Sequence, residues 1–190
     1  MQASLQQRLN AILDLIERAL PNAEATDWSA LAFRWRRHQA FGLSLGVLEA
    51  VQRIAHIEPD DLQHIDAQKQ SLLANTEQFV RGLPANNVLM TGARGTGKSS
   101  LVRACLARFS AQGLRVIEVD KNDLTDLPEI TRCVADRPER FVLFCDDLSF
   151  EEGEASYKAL KAALDGSVAA PASNVLIYAT SNRRHLMPEF

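Results

Sequence analysis

The sequence predicts a three-layer α/β/α fold around a parallel sheet, preceded by a helical N-terminal region. Three observations carry that expectation. From about residue 60, short apolar strands alternate with helical stretches of about 10 to 15 residues, a rhythm that implies right-handed crossovers and parallel pairing. The strand segments are apolar throughout, as required when helices cover both faces of a sheet. A glycine-rich turn, Gly92 to Ser99, joins one of these strands to a helix.

Size and composition agree. A chain of 190 residues has room for one well-packed domain and a smaller appendage. No apolar run approaches the roughly 20 residues that span a bilayer, and polar residues break the first stretch, so the expectation is a cytoplasmic protein with no membrane partner. The formal charge of −3 argues against a surface dominated by nucleic-acid phosphate contacts, while leaving room for a local basic patch. Cys105, Cys133 and Cys145 are odd in number and lack zinc-site spacing, so they read as reduced thiols. His38, His56, His64 and His185 are scattered, which speaks against a histidine metal site.

Two regions are expected, 1–58 and 59–190. In the first, Leu5, Leu9, Ile12, Leu13, Ile16 and Leu20 recur at helical spacing between a Ser4 cap and Pro21. A second apolar-rich stretch, Trp28 to Val51, is interrupted by Gly42 and Gly46. Within it, Ala32-Phe33-Arg34-Trp35-Arg36-Arg37-His38 interleaves aromatic and basic residues. It reads either as a nucleic-acid surface with bases stacked on Trp35, or as an amphipathic helix whose aromatics pack inward.

In the second region Gln68 to Arg81 reads as a helix ended by Gly82-Leu83-Pro84, and Val88-Leu89-Met90 as a buried strand. Leu101 to Phe109 is helical and closes at Gly113. Leu114 to Val119 is the next strand. Asp126, with Glu129 three residues on, has the pattern of a helix N-cap, and that helix runs toward Asp136. Phe141 to Cys145 is a third strand; Ser149 and Glu152 form a second cap pattern ahead of a helix reaching Gly166; Asn174 to Ala179 is the fourth strand.

The turn Gly92-Ala93-Arg94-Gly95-Thr96-Gly97-Lys98-Ser99 fits G-x-x-x-x-G-K-[ST], and it stands between a strand and a helix, the context the motif requires. Its glycines let successive amides face phosphate oxygens, and the helix start adds the positive end of its dipole. Lys98 supplies a full charge to the phosphates, and the Ser99 hydroxyl suits Mg²⁺, with Ser100 next along the helix. The ligand expected is ATP or a close relative, with Mg²⁺. The apolar strand ending in Asp146-Asp147 is a Walker B arrangement, with Asp146 on the metal side and Asp147 set to orient or deprotonate a water. Asp147 is one methylene shorter than the glutamate common at that place, and a 1 Å displacement can cost about a hundredfold in an aligned attack. Thr180-Ser181-Asn182 ends the fourth strand, where ligands of parallel sheets gather, so Asn182 can hold the water or a phosphate oxygen. Arg183 and Arg184 follow as phosphate sensors, partner contacts or solvated charges.

On GARGTGKS, on FVLFC with DD, and on YATSNR, which looks like a sensor-1 motif, the chain resembles the AAA+ ATPase superfamily over residues 60–190. The stretches PANNVLMTGARGTGKSSLVRA, RFVLFCDDLSFEEGEASYKALKAALDG and NVLIYATSNRRHLMPE are similar to a little-characterised bacterial P-loop ATPase family catalogued as a domain of unknown function. The resemblance implies a sheet order 5-1-4-3-2 and an adenine wrapped by residues around Leu62, Gln63, His64 and Ile65. It also implies a fifth strand, an arginine finger and a helical lid, and these have no counterpart before Phe190. Hydrolysis is accordingly expected to be weak, since such a finger is worth about 10³ to 10⁵ in rate. Assembly into a homo-oligomeric ring is a further implication.

The leading functional expectation is a Mg²⁺-dependent ATPase coupled to a conformational or assembly change, with Lys98, Asp147 and Asn182 catalytic. A nucleotide switch or scaffold with negligible turnover is the alternative. A small-molecule kinase is disfavoured, because no Arg-rich lid or acceptor pocket is evident between Asp120 and Arg140.

Overall fold

Continuous apolar runs build the central strands of the sheet. In Arg140–Cys145, all but the first residue are buried, and Leu143 and Phe144 face opposite layers. The computed structural model describes residues 26–40, 42–151, 154–164 and 172–182, together with Gln7, Leu9, Asn10 and Asp14. Its strands are β1 (Ala32–Ala40), β2 (Leu43–Ala50), β3 (Val88–Thr91), β4 (Leu114–Glu118), β5 (Arg140–Cys145) and β6 (Val175–Ser181). The helices are α1 (Asp66–Val80), α2 (Lys98–Phe109), α3 (Leu127–Val134) and α4 (Ala155–Leu164).

The six strands form one sheet in the order β2-β1-β4-β5-β6-β3. All neighbours are parallel except the antiparallel pair β1 and β2. Read from the β3 edge, the order β3-β6-β5-β4 is the 1-4-3-2 arrangement that the resemblance implied. No fifth core strand occurs among the described residues.

Helices cover both faces. On one, Leu72 and Phe79 of α1 and Leu101, Cys105 and Phe109 of α2 pack on Val116, Val142, Phe144 and Tyr178. On the other, Leu127, Ile130 and Val134 of α3 and Leu160 of α4 pack on Ile117, Leu143, Ile177 and Ala179. The helix α2 itself ends at Phe109, and Gly113, in the left-handed region at φ 93°, closes the short 3-10 turn Ser110–Gln112 that follows it.

The helical reading of Trp28 to Val51 is overturned. Strands β1 and β2 pair antiparallel as a hairpin, and β1 pairs with β4 through Ala32 to Arg34, so the sheet runs across the expected boundary at residue 58. The deciding pattern is period two. Phe33 and Trp35 are buried on one face, while Arg34 and Arg36 stand exposed on the other. Gly46, read as a helix interruption, lies beneath the Trp35 indole: a Cβ there would come within 1.9 Å of Trp35 Cζ2. Asp126 does stand at the N-cap of α3 as expected, but its side chain is used elsewhere. Its carboxylate makes no cap bond; it accepts from Trp35 Nε1 at 2.9 Å and from the Arg37 guanidinium, which fastens the hairpin to the α3 layer.

The helix expected between Ser4 and Pro21 falls largely outside the described residues, as do Glu152, Gly166, Arg183, Arg184 and His185. Among the described residues, no helix is long and apolar enough to cross a membrane.

Candidate nucleotide site

The site forms where the ends of β3, β5 and β6 meet the start of α2. Strand β3 runs into Gly92–Gly97, and Gly95 and Gly97 take φ of 81° and 85°, which glycine adopts without steric penalty. Gly97 is the N-cap of α2, so the loop leads into a helix N-terminus, and such a start holds anions. Thr96 Oγ1 donates to the Ala93 carbonyl at 2.8 Å, tying the loop across its own curl.

Lys98 turns back over this loop. Its ammonium donates to Gly92 O at 2.7 Å, Ala93 O at 2.8 Å and Asn182 Oδ1 at 3.1 Å. The Asn182 amide nitrogen in turn donates to Asp147 Oδ1. Asp147 itself has φ 53°, a left-handed backbone uncommon for a residue with a side chain. Ser99 Oγ donates to Asp146 Oδ1 at 2.7 Å, so hydroxyl and carboxylate already stand side by side.

The turn after β5 is knitted to the end of β6. The Leu148 N–H donates to Thr180 O at 2.7 Å, Ser181 Oγ donates to Leu148 O at 2.7 Å, and the Gly92 N–H donates to Ser181 O at 3.2 Å. Register explains the meeting point: β5 and β6 pair as far as Cys145 with Ala179, and β6 and β3 as far as Ser181 with Thr91.

Most of the expected site residues therefore converge. Arg94, Gly95, Gly97, Lys98, Ser99, Ser100, Asp146, Asp147 and Asn182 line one cleft of about 280 Å³. Ile65 lies behind the loop, where a Cβ on Gly97 would come within 3.3 Å of Ile65 Cδ1. Lys69 anchors that segment by donating to Leu62 O at 2.9 Å and pairing with Asp66 at 3.1 Å. Ile65, Gly92, Thr96 and Lys98 share a second, wider cleft of about 830 Å³ along α1 and β3.

Two features were not read from the sequence as parts of this site. Thr180 bonds both acids, although only its place in the polar tip marked it. Arg34, Arg36, Arg103 and Lys121 line a cleft of about 550 Å³ that opens onto Asp146 and Asp147. Trp35, 1% exposed, is not available for stacking on a base, which removes that part of the nucleic-acid reading.

A glycine loop after β3, an acidic pair after β5 and the order β3-β6-β5-β4 define a P-loop α/β fold of the AAA+ type. The chain belongs to the family described as a protein of unknown function, DUF815, whose match covers residues 28–190. No curated protein matches it. Among solved structures it is similar to AMPPCP-bound DnaA from Aquifex aeolicus, at 18% identity and TM-score 0.46 over 66% of this chain and 42% of that one. It is also similar to the Thermotoga maritima RuvB Holliday junction branch migration motor, at 20% identity and TM-score 0.45 over 70% and 43%. A third is C. elegans PCH-2, at 15% identity and TM-score 0.46 over 95% and 64%. The chain thus spans less than two thirds of each neighbour's own length.

Proposed function

We propose that the chain binds ATP with Mg²⁺ at the Gly92–Ser99 loop and hydrolyses it slowly. The observation that carries this reading is the connected set around one cleft: Lys98 to Asn182, Asn182 to Asp147, and Ser99 to Asp146. In this reading the loop amides and the α2 N-terminus receive the phosphates, Lys98 moves from the loop carbonyls to a phosphate oxygen, and Ile65 walls the base. The Ser99 hydroxyl and Asp146 carboxylate are hard oxygen donors, which suits Mg²⁺. The ion, when bound, would offset phosphate charge. Ser99 would keep its proton on Asp146 Oδ1 while turning a lone pair outward. Asp147 accepts a proton from the attacking water, and Asn182 orients that water.

A switch with negligible turnover is the second reading. One contact favours it: the Asp147 carboxylate is held by the Asn182 amide, on a side chain already one methylene short.

Titration with a fluorescent ATP analogue and Mg²⁺ tests the binding, with Lys98→Ala expected to weaken it by about tenfold or more, the scale of a lost charge-assisted bond. Phosphate release separates the two readings. Release that Asp147→Asn lowers by about a hundredfold, with binding kept, supports hydrolysis; no release from the unaltered chain supports the switch. A chain without affinity for magnesium nucleotides would refute both.

A further inference from the structure

We propose that Thr180 is the positioning residue of the acidic pair, fixing with one hydroxyl both the Asp146 carboxylate and the backbone of Asp147. The proposal rests on the reading of the loop as a Mg²⁺–nucleotide site and assigns that site a part not yet accounted for.

Thr180 sits near the end of β6, is 1% exposed, and turns its hydroxyl toward the end of β5. Its Oγ1 donates to Asp146 Oδ1 at 2.5 Å and accepts from the Asp147 N–H at 2.8 Å. A hydroxyl has one proton and two lone pairs, so both bonds form together without competition. Its backbone carbonyl adds a third tie by accepting from the Leu148 N–H. One buried residue therefore grips three consecutive residues of the turn.

Each grip has a consequence. Asp146 Oδ1 accepts from Ser99 Oγ, Thr180 Oγ1 and the Asp147 N–H, at 2.7, 2.5 and 3.1 Å. Three donors on one oxygen hold that oxygen in place, on a residue that lines the cleft. At Asp147 the left-handed backbone is uncommon for a residue with a Cβ, and it persists where neighbours over-determine it. The Thr180 hydroxyl is the side-chain acceptor from β6 that holds that peptide. Groups that orient a metal ligand without touching the metal carry about ten- to a hundredfold in affinity or activity.

Two variants separate hydroxyl from packing. Thr180→Val keeps the shape and removes both bonds, whereas Thr180→Ser keeps the hydroxyl. In the nucleotide-free protein, amide exchange at Asp147 is expected to quicken about tenfold or more in Thr180→Val and to stay within about twofold in Thr180→Ser. With a fluorescent ATP analogue, the Mg²⁺ concentration for half-maximal binding should rise about tenfold in Thr180→Val, while binding in EDTA is unchanged. Where phosphate release is measurable, kcat should fall and KM for ATP hold. Unaltered Asp147 exchange together with unaltered Mg²⁺ dependence in Thr180→Val overturns the proposal, and so does equal impairment of the two variants. A wild-type chain that binds no magnesium nucleotide refutes the function proposed above, yet the Asp147 exchange then still decides whether Thr180 holds the turn.

Discussion

Asn182 stands between Lys98 and Asp147 and bonds both: its amide oxygen accepts from the ammonium at 3.1 Å, and its amide nitrogen donates to the carboxylate. The charged pair is thus joined through a neutral side chain, and each end is held by the same planar group. Asn182→Ala cuts both links and leaves the glycine loop, Ser99 and Asp146 intact. Phosphate release is expected to fall by about a hundredfold with nucleotide affinity little changed, since orienting donors matter most in the transition state. A single-turnover assay beside a binding titration checks the split.

The hairpin depends on an aromatic ring laid over a glycine. With Trp35 Cζ2 only 1.9 Å from where a Cβ would stand, Gly46→Ala must displace the buried indole. Overpacking of this kind costs about 1–3 kcal/mol. Thermal unfolding should show a lowered Tm, with the fluorescence of Trp35 shifted toward that of a wetter indole.

Asp126 makes stability depend on pH. The Arg37 guanidinium holds its carboxyl below the usual range, aided by the Trp35 N–H and opposed by burial. A carboxylate depressed in this way contributes stability above its unfolded value of about 3.9, and loses it as pH falls through the folded value. Asp126→Asn should cost about 1–3 kcal/mol at pH 7, the scale of hydrogen bonds to a charged group. Below about pH 4 the gap between variant and wild type should narrow, as denaturant titrations at several pH values would show.

The three thiols should differ in reactivity. Burial raises the Cys105 thiol to about 11 and the Cys145 thiol to about 12, and neither side chain reaches solvent. Cys133 is exposed on α3, although burial and Glu129 raise its pKa as well. A thiolate-trapping reagent at pH 8 should label one thiol per chain in the native state and all three in denaturant. Fast labelling of more than one thiol in the native protein would contradict the packing described.

The local chemistry of the site was legible in the sequence because its parts are short and contiguous. Gly92 to Ser99 carries its own turn geometry, and an apolar strand ending in two acids needs no distant partner to be read. The convergence of Asn182 with Lys98 followed from the strand order that the family resemblance implies; alternating helices and strands imply only the parallel pairing. The hairpin was not legible in the same way. A run such as Phe33-Arg34-Trp35-Arg36 fits a helical stripe or a strand until something shows which face is covered, and both the residue over Trp35, Asp126, and the strand partner of Phe33, Ile117, lie more than 80 positions away. Gly46 misled for the same reason: its meaning is the indole above it. Asp126 does precede a helix, but Arg37 and Trp35 claim its oxygens. Thr180 was visible only as one polar letter among three, because its role lies in two bonds to another strand.

The pairing of β1 with β4 sets where the chain can be cut. A fragment begun at residue 59 would strip the hairpin from β4, laying bare a row of main-chain donors and acceptors beside the apolar floor that Phe33 and Trp35 cover. Such an edge recruits strands from other molecules. The shortest piece worth expressing therefore begins ahead of Trp28, whose ring packs against Phe33 and Phe141, and a shorter one should be recovered as aggregate.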